Sequence, residues 1–442
     1  MLARLRSRRR QRGTPVLLVG ALGDGPALAR WLLDAPGRGV RPVGFLDDEL
    51  TGQVHGLPVL GTIAQLGEVA AATGVEVVVA VPGQTVTELA RLIEAAAGVG
   101  LAFGHANEAP VVATRLLGRA PAGFDRTRIR RAVKGQRVLV TGVNDIVGKE
   151  LCGRLEELNA ASVTMLCTAE RTLDEVFAEL RPEIVFHADL VRDLSLAERQ
   201  PCVAVSRNVL GTRQVLDAAL RHGAERFVVV SGVEAADPSS VLGATYRLAE
   251  LVVQAAAGGG VRLAATRLGV LIATARSPLA ALGEQACRAE AMTVGHPDTA
   301  RYFMTLQEAA ELTLEVAALA ERGEVFALDI GAPVPVVTLV HAFAEQLRLP
   351  EVRIRFTGLQ PGERQFDKLF SGGEARVPTA NPQVWAARPG PAPAGQASLL
   401  NRLDHAATRG SDHDVRTLLR RLLPEYRPAG TREPARLTQE AL

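Results

Sequence analysis

The chain has 442 residues, of which 47% are hydrophobic and 22% charged, and its formal net charge is +2. That length gives room for about two to three domains, each with a core of its own. The near-neutral balance argues against general affinity for nucleic acid or acidic surfaces, and no apolar run approaches the roughly 20 residues needed to cross a bilayer.

The first thirteen residues carry Arg4, Arg6, Arg8, Arg9, Arg10 and Arg12 and read as a solvated basic tail. No apolar segment of signal-peptide type follows before PVLLVG. Short apolar runs then alternate with helix-length segments, the pattern of parallel α/β folding. A first Rossmann-like domain is predicted over residues 14–105, with strands at Val16–Val19, Pro42–Leu46 and Val75–Val81. An Arg-rich bridge over 106–135 leads to a second domain over 136–375. There RVLVTG, SVTMLC, EIVFHA and RFVVVS read as strands, separated by helical segments ending in TYRLAELVVQAA. Two doubly wound parallel sheets are therefore expected. From Ala273 the rhythm loosens into a helical stretch, the turn GHPDTARYFMT and a helix over Gln307–Glu321. Region 376–442 reads as a Pro-, Ala- and Gly-rich linker over Val377–Ala397, closed by the amphipathic helix DHDVRTLLRRLL. Cys152, Cys167, Cys202 and Cys287 show no metal-ligand spacing and read as reduced core residues of a cytoplasmic protein.

Two turns have the position of a dinucleotide phosphate loop, where glycines let the backbone bend sharply and approach a pyrophosphate. The first offers Gly20, Gly23 and Gly25, with Leu22 at the middle glycine's place. A purely structural turn and a nucleotide site both fit it. The second runs from Gly142 to Gly148 with Asn144 and Asp145 inside it. A carboxylate there repels a pyrophosphate. The strand SVTML then runs into Cys167-Thr168-Ala169, so the acid expected to receive the adenosine ribose is missing.

RPVGFLDDE, HGLPVLGT, LLGRAP, VLVTG, RPEIVFHA, NVLGTRQV, HPDTARYFMT, GEVFALDIG, FTGLQPGER and LLRRLLPEYRP together resemble the bacterial polysaccharide biosynthesis dehydratases. These act as UDP-N-acetylhexosamine 4,6-dehydratases of the extended short-chain dehydrogenase type. The resemblance covers nearly the whole chain. It implies a smaller C-terminal substrate-binding subdomain, a nucleotide-sugar substrate and NAD, which takes and returns the C4 hydride. It also implies a membrane-anchored N-terminal region. No such anchor precedes the first domain here, so the Arg-rich start would be what remains beside it. That places the chain in the cytoplasm, free or peripheral to the inner face of the membrane. Family members associate through helices of the dehydratase domain, so a homo-oligomer or a hetero-oligomer with an active homologue is expected, through the apolar face of Leu242–Ala256.

The chain departs from the family at its reactive positions. Gly232, Val233 and Glu234 stand where Thr, Asp and Lys are expected, Leu242 replaces Met or Tyr, and Tyr246 replaces Lys. Arg192 and Asp193 stand in place of another Lys and His. A Tyr-x-x-x-Lys dyad is excluded, because Glu250, Leu306 and Gly430 lie four residues after the three tyrosines. The segment between SVTMLC and TLDEVFAEL is about one β-α unit shorter than the family's. Retained features lie on the substrate side. Arg267 and Arg301 are the candidate diphosphate ligands, and Pro361, Gly362 and Glu363 match the family's turn near the nucleotide. His187 ends a buried strand and reads as structural. The expectation is a relative that binds a nucleotide sugar and has lost the NAD-dependent reaction. An active dehydratase or non-redox lyase with rebuilt groups, through Tyr246 or Glu234, and a structural partner without ligand are the alternatives. No metal is expected.

Overall fold

The computed structural model describes residues 14–21, 25–33, 40–75, 77–81, 101–105, 116–142, 145–166, 172–258, 260–272, 291–346, 352–388 and 396–429, with isolated positions between 92 and 99 and at 282 and 285. They form two compact units, one of Met1–Pro121, Ile272–Thr293 and Val337–Arg355, the other of Ala122–Leu271, Val294–Val336 and Phe356–Leu442.

The first unit carries a six-stranded sheet: β1 (Thr14–Val19), β2 (Val40–Leu46), β3 (Gln53–Val54), β4 (Leu57–Gly61), β5 (Val77–Ala80) and β6 (Ala102–His105). Their order is β3-β4-β2-β1-β5-β6, parallel except for the β3–β4 hairpin. Val16–Val19 of β1 are wholly buried, which is why that strand reads as an unbroken apolar run. Helices α1 (Gly25–Leu33) and α2 (Leu66–Thr73) belong to the same unit.

The second unit opens with α3 (Arg126–Val133), which belongs to the Arg-rich bridge. Arg126 pairs with Glu311, and Arg128 with Glu315, so the bridge is fastened to the unit that follows it. Then come β7 (Arg137–Thr141), α4 (Ile146–Glu157), β8 (Ser162–Leu166), α5 (Leu173–Leu180), β9 (Ile184–His187), α6 (Leu194–Arg199), α7 (Pro201–Val205) and, after a wider π-type turn, α8 (Thr212–Arg221). Strand β10 (Arg226–Gly232), helix α9 (Val241–Ala255), β11 (Arg262–Leu268), α10 (Leu306–Leu319) and β12 (Glu324–Leu328) complete the wound part. With β13 (Arg376–Pro378) and β14 (Val384–Ala387), the sheet order is β13-β14-β12-β11-β10-β9-β7-β8. All pairings from β8 to β12 are parallel. Side chains alternate between faces. Val185, Phe227 and Leu263 meet one helical layer, and Ile184, Phe186 and Val228 meet the other.

Strands β13 (Arg376–Pro378) and β14 (Val384–Ala387) correct the expected linker, since they extend the sheet by antiparallel pairing beyond β12. Trp385 lies opposite Ala327, and the run Val384–Ala387 is short enough to disappear among its Pro and Gly neighbours. Residues 389–395, the rest of that stretch, lie outside the described residues. Among the described residues β8 alone lies beyond β7, and six residues join β8 to α5.

Helices α11 (Gln396–Thr408) and α12 (Asp412–Leu422) close the unit. Their Leu403, Val415 and Leu419 are wholly buried in the core that also holds Val205, Val209 and Leu248. Helix α9 packs against β10, β11, α6–α8 and α12, and is buried along its whole length from Val241 to Val253 apart from Arg247. The apolar face expected to serve association is covered within the chain itself.

Candidate functional site

The site forms where β7, β9 and β10 end, the strand termini at which open α/β sheets place their ligands. Gly142 follows β7 with φ +94°, and a Cβ there would come within 2.9 Å of the Ala188 and Asp189 backbone. Only glycine passes without strain. Asp145 then caps α4: its Oδ1 accepts from the Val147 amide at 2.8 Å and the Gly148 amide at 3.2 Å. Its Oδ2 accepts from Arg192 Nε at 2.6 Å. The helix start, with its exposed amides and positive dipole end, is thus taken by a side-chain carboxylate. Val143 and Asn144 lie outside the described residues.

Arg192 reaches across to the end of β10, where Nη2 donates to the Val230 carbonyl at 3.3 Å. The Tyr246 hydroxyl lies close enough to feel its charge. Burial disfavours the charged guanidinium, but Asp145, Tyr246 and Glu234 outweigh that and hold it more firmly protonated than usual. Burial likewise pushes the Tyr246 hydroxyl up, with Arg192 opposing and Glu234 adding. Glu234 and Tyr246 occupy the space over Gly232: a Cβ at that glycine would collide with the Glu234 carboxylate and come within 2.7 Å of the Tyr246 ring. Shielding from water raises the Glu234 pKa, and Asp367 adds to it against Arg364 and Arg192. Asp367 is raised in the same way by burial, opposed by Arg301 and Arg364.

Of the positions where the sequence resemblance implies reactive groups, Gly232, Val233 and Leu242 are buried and apolar, while Glu234 and Tyr246 lie side by side. Ser231 points into the core and donates to Glu250 at 3.0 Å. His187 is held by Thr141 at 2.7 Å and Thr212 at 3.1 Å. Burial, with Arg192 adding, pushes it down to about 3, so it stays neutral and structural.

The two candidate diphosphate arginines separate clearly. All five N–H donors of Arg267 are spent, two on Glu250, two on Glu374 and one on the Leu369 carbonyl. Its side chain is 0% exposed. That corrects its expected role: it is a core ion-pair residue. Arg301 spends three donors, on the Ala300 and Gln365 carbonyls and on Glu363 at 2.9 Å. Its side chain reaches the surface in part. Glu363 also accepts from the Gln360 amide, closing the Pro361–Gly362 turn. Gly362 has φ +78°, and a Cβ there would crowd Glu198 and Ser240. The structure therefore brings Arg301 and Glu363 together and sets Arg267 apart.

Arg364 and Asp367 carry no separate signal in the sequence, although they directly follow the Pro361–Glu363 turn. Arg364 donates to the Val233 and Ala236 carbonyls at 2.7 and 2.6 Å and lies 3.6 Å from Asp367. In the first unit Gly20 has φ +103° and Gly25 packs on its carbonyl, while Gly23 lies outside the described residues. Asp47, at the end of β2, accepts from the Ala21 amide at 2.6 Å. The adjacent acids in GFLDDE were the available signal for it. Among the described residues no His, Cys, Asp and Glu cluster is arranged to hold a metal, and no helix is long and apolar enough to cross a membrane.

Residues 149–389, more than half of the chain, match the family model described as polysaccharide biosynthesis protein. The chain belongs to that polysaccharide biosynthesis family. Residues 1–100 match a model described as a CoA-binding domain. Within the family, the probable polysaccharide biosynthesis protein EpsC of Bacillus subtilis is 28% identical over 83% of this chain and 70% of its own length. The capsular polysaccharide biosynthesis protein CapD of Staphylococcus aureus is 31% identical over 59% of this chain, which spans about half of CapD (49%). The solved structure of Pen from Bacillus thuringiensis aligns with TM-score 0.53 at 23% identity, over 58% of this chain and 90% of Pen. That likeness establishes the Rossmann-like fold of this family member.

Proposed function

We propose that this family member binds a nucleotide sugar of the UDP-N-acetylhexosamine type and does not carry out NAD-dependent 4,6-dehydration. The observation that carries the reading is the Glu234–Tyr246–Arg192 cluster over Gly232. Redox dehydration needs a base for the C4 hydroxyl and an acid–base pair for the elimination, placed around a nicotinamide. Here Val233 and Gly232 transfer no protons, Tyr246 is held neutral, and no lysine lies four residues beyond it. The dinucleotide does not fit the residues present either, because the amides at the start of α4 already serve Asp145.

On the substrate side, the ligand set is Arg301 with the Pro361–Gly362–Glu363 turn, without Arg267. Among the described residues two Arg301 N–H donors make no hydrogen bond, with Asp367 3.7 Å from Nη1, which leaves room for a charge-assisted bond to a diphosphate. Calorimetric titration with UDP-N-acetylglucosamine tests the binding, and mass spectrometry of the incubated sugar nucleotide tests the chemistry. Binding without loss of water is expected. Conversion to the dehydrated sugar, with or without added NAD, refutes the reading.

A further inference from the structure

We infer that Asp145, locked by Arg192, is a built-in anion standing where a cofactor pyrophosphate would lie, so that the second unit is complete without a dinucleotide. The inference rests on the family assignment for the place of the cofactor, and not on sugar-nucleotide binding.

A Rossmann turn binds pyrophosphate with the free amides of a helix N-terminus, an arrangement that welcomes negative charge and leaves donors unpaired when empty. In this chain both needs are met internally. The Val147 and Gly148 amides donate to Asp145 Oδ1, and the negative charge sits against the start of α4. A capping aspartate alone would be ordinary. The second feature is the cation. Arg192, five residues beyond the end of β9, is 26% exposed and turns back to bond the other oxygen of the same carboxylate. It then ties that carboxylate to the β10 terminus through Val230. The ends of β7, β9 and β10 and the start of α4 are joined by one ion pair, across the crevice where a dinucleotide would otherwise lie.

Charge continues along the same line. Arg192 faces Glu234, Glu234 faces Asp367 and Arg364, and Asp367 faces Arg301, which holds Glu363. Each of these guanidinium groups meets a carboxylate of the chain itself, so none of the three stands unmatched. Adding its two negative charges would mean displacing Asp145 from both amides and from Arg192 at once.

Removing the built-in anion should create a binding site for an external one. Asp145→Asn keeps a good helix cap but removes the charge, leaving Arg192 and the helix dipole without their anion. Thermal melting of the full chain, with NAD or inorganic pyrophosphate as probes, reads the result. The native chain is expected to melt at the same temperature with and without either probe. Asp145→Asn is expected to melt lower, and to recover by a few degrees as pyrophosphate is added. Asp145→Asn combined with Arg192→Leu is expected to lose that recovery, while Arg192→Leu alone melts lower and stays unresponsive. Stabilisation of the native chain by NAD overturns the inference. So does an Asp145→Asn chain indifferent to pyrophosphate, or a double variant that recovers as fully as the single one. A failure to bind the sugar nucleotide would count against the proposed function and leave these outcomes unchanged.

Discussion

Replacing Arg267 with methionine should destabilise the second unit strongly and leave ligand recognition intact. Glu250 and Glu374, whose side chains are 0% and 10% exposed, would lose their shared cation. Breaking a buried pair by removing one partner costs about 3–5 kcal/mol. Arg247 lies 3.1 Å from Glu250 and 3.2 Å from Glu374 and compensates in part. The lower end, about 3 kcal/mol, is therefore expected. For a unit of this size that corresponds to a fall in melting temperature of roughly 6–12 °C. Adding Glu250→Leu removes one stranded charge and should restore part of the loss. Differential scanning calorimetry measures the fall, and titration of the folded variant with UDP-N-acetylglucosamine measures recognition. A variant that melts like the native chain but no longer binds the sugar nucleotide would refute the reasoning and return Arg267 to the ligand set.

Arg301→Ala should do the opposite, weakening sugar-nucleotide affinity at least tenfold, or about 1.4 kcal/mol, with a smaller loss of stability. Equal affinity would remove Arg301 from the proposed site. Glu234 has a folded pKa above its ordinary 4.5, so the stability it contributes is present below that value and is lost as pH rises through the folded pKa. Glu234→Gln should therefore raise the melting temperature at neutral pH and leave it little changed at pH 4. Glu374 has the reverse sign. The Arg267 and Arg247 charges overcome its burial and hold its pKa below 4.5, so its contribution is present above that value and fades as acid protonates it. Glu374→Gln should flatten the loss of stability seen in acid. Leu419→Ala, at a wholly buried position of α12, should cost about 2–5 kcal/mol and loosen the cover over α9, as read by hydrogen exchange along Val241–Ala255.

The parallel sheets were legible because RVLVTG, EIVFHA and RFVVVS are buried on both faces and leave continuous apolar runs. Strands β13 and β14 were not, since antiparallel strands at the far edge of the sheet need only a few apolar residues, and prolines and glycines surround them. The substitutions at Gly232, Val233, Glu234 and Tyr246 were legible only against the pattern of the family the chain resembles. Their mutual arrangement was not legible. Asp145 and Arg192 are 47 positions apart, and Asp145 was legible only as a charge opposed to a phosphate, not as one already paired. Arg267 shows the converse: its motif suggests a ligand, but whether its donors are free depends on Glu250 and Glu374, which the motif does not contain. Part of the cover over α9 likewise comes from α12, more than 150 residues downstream.

The central claim is that this family member keeps its fold and its crevice without a dinucleotide. Titrating the native full-length chain with NAD by calorimetry, first alone and then in the presence of UDP-N-acetylglucosamine, tests it most directly. The account predicts no binding heat from NAD in either titration. Saturable, tight NAD binding in either one would contradict it.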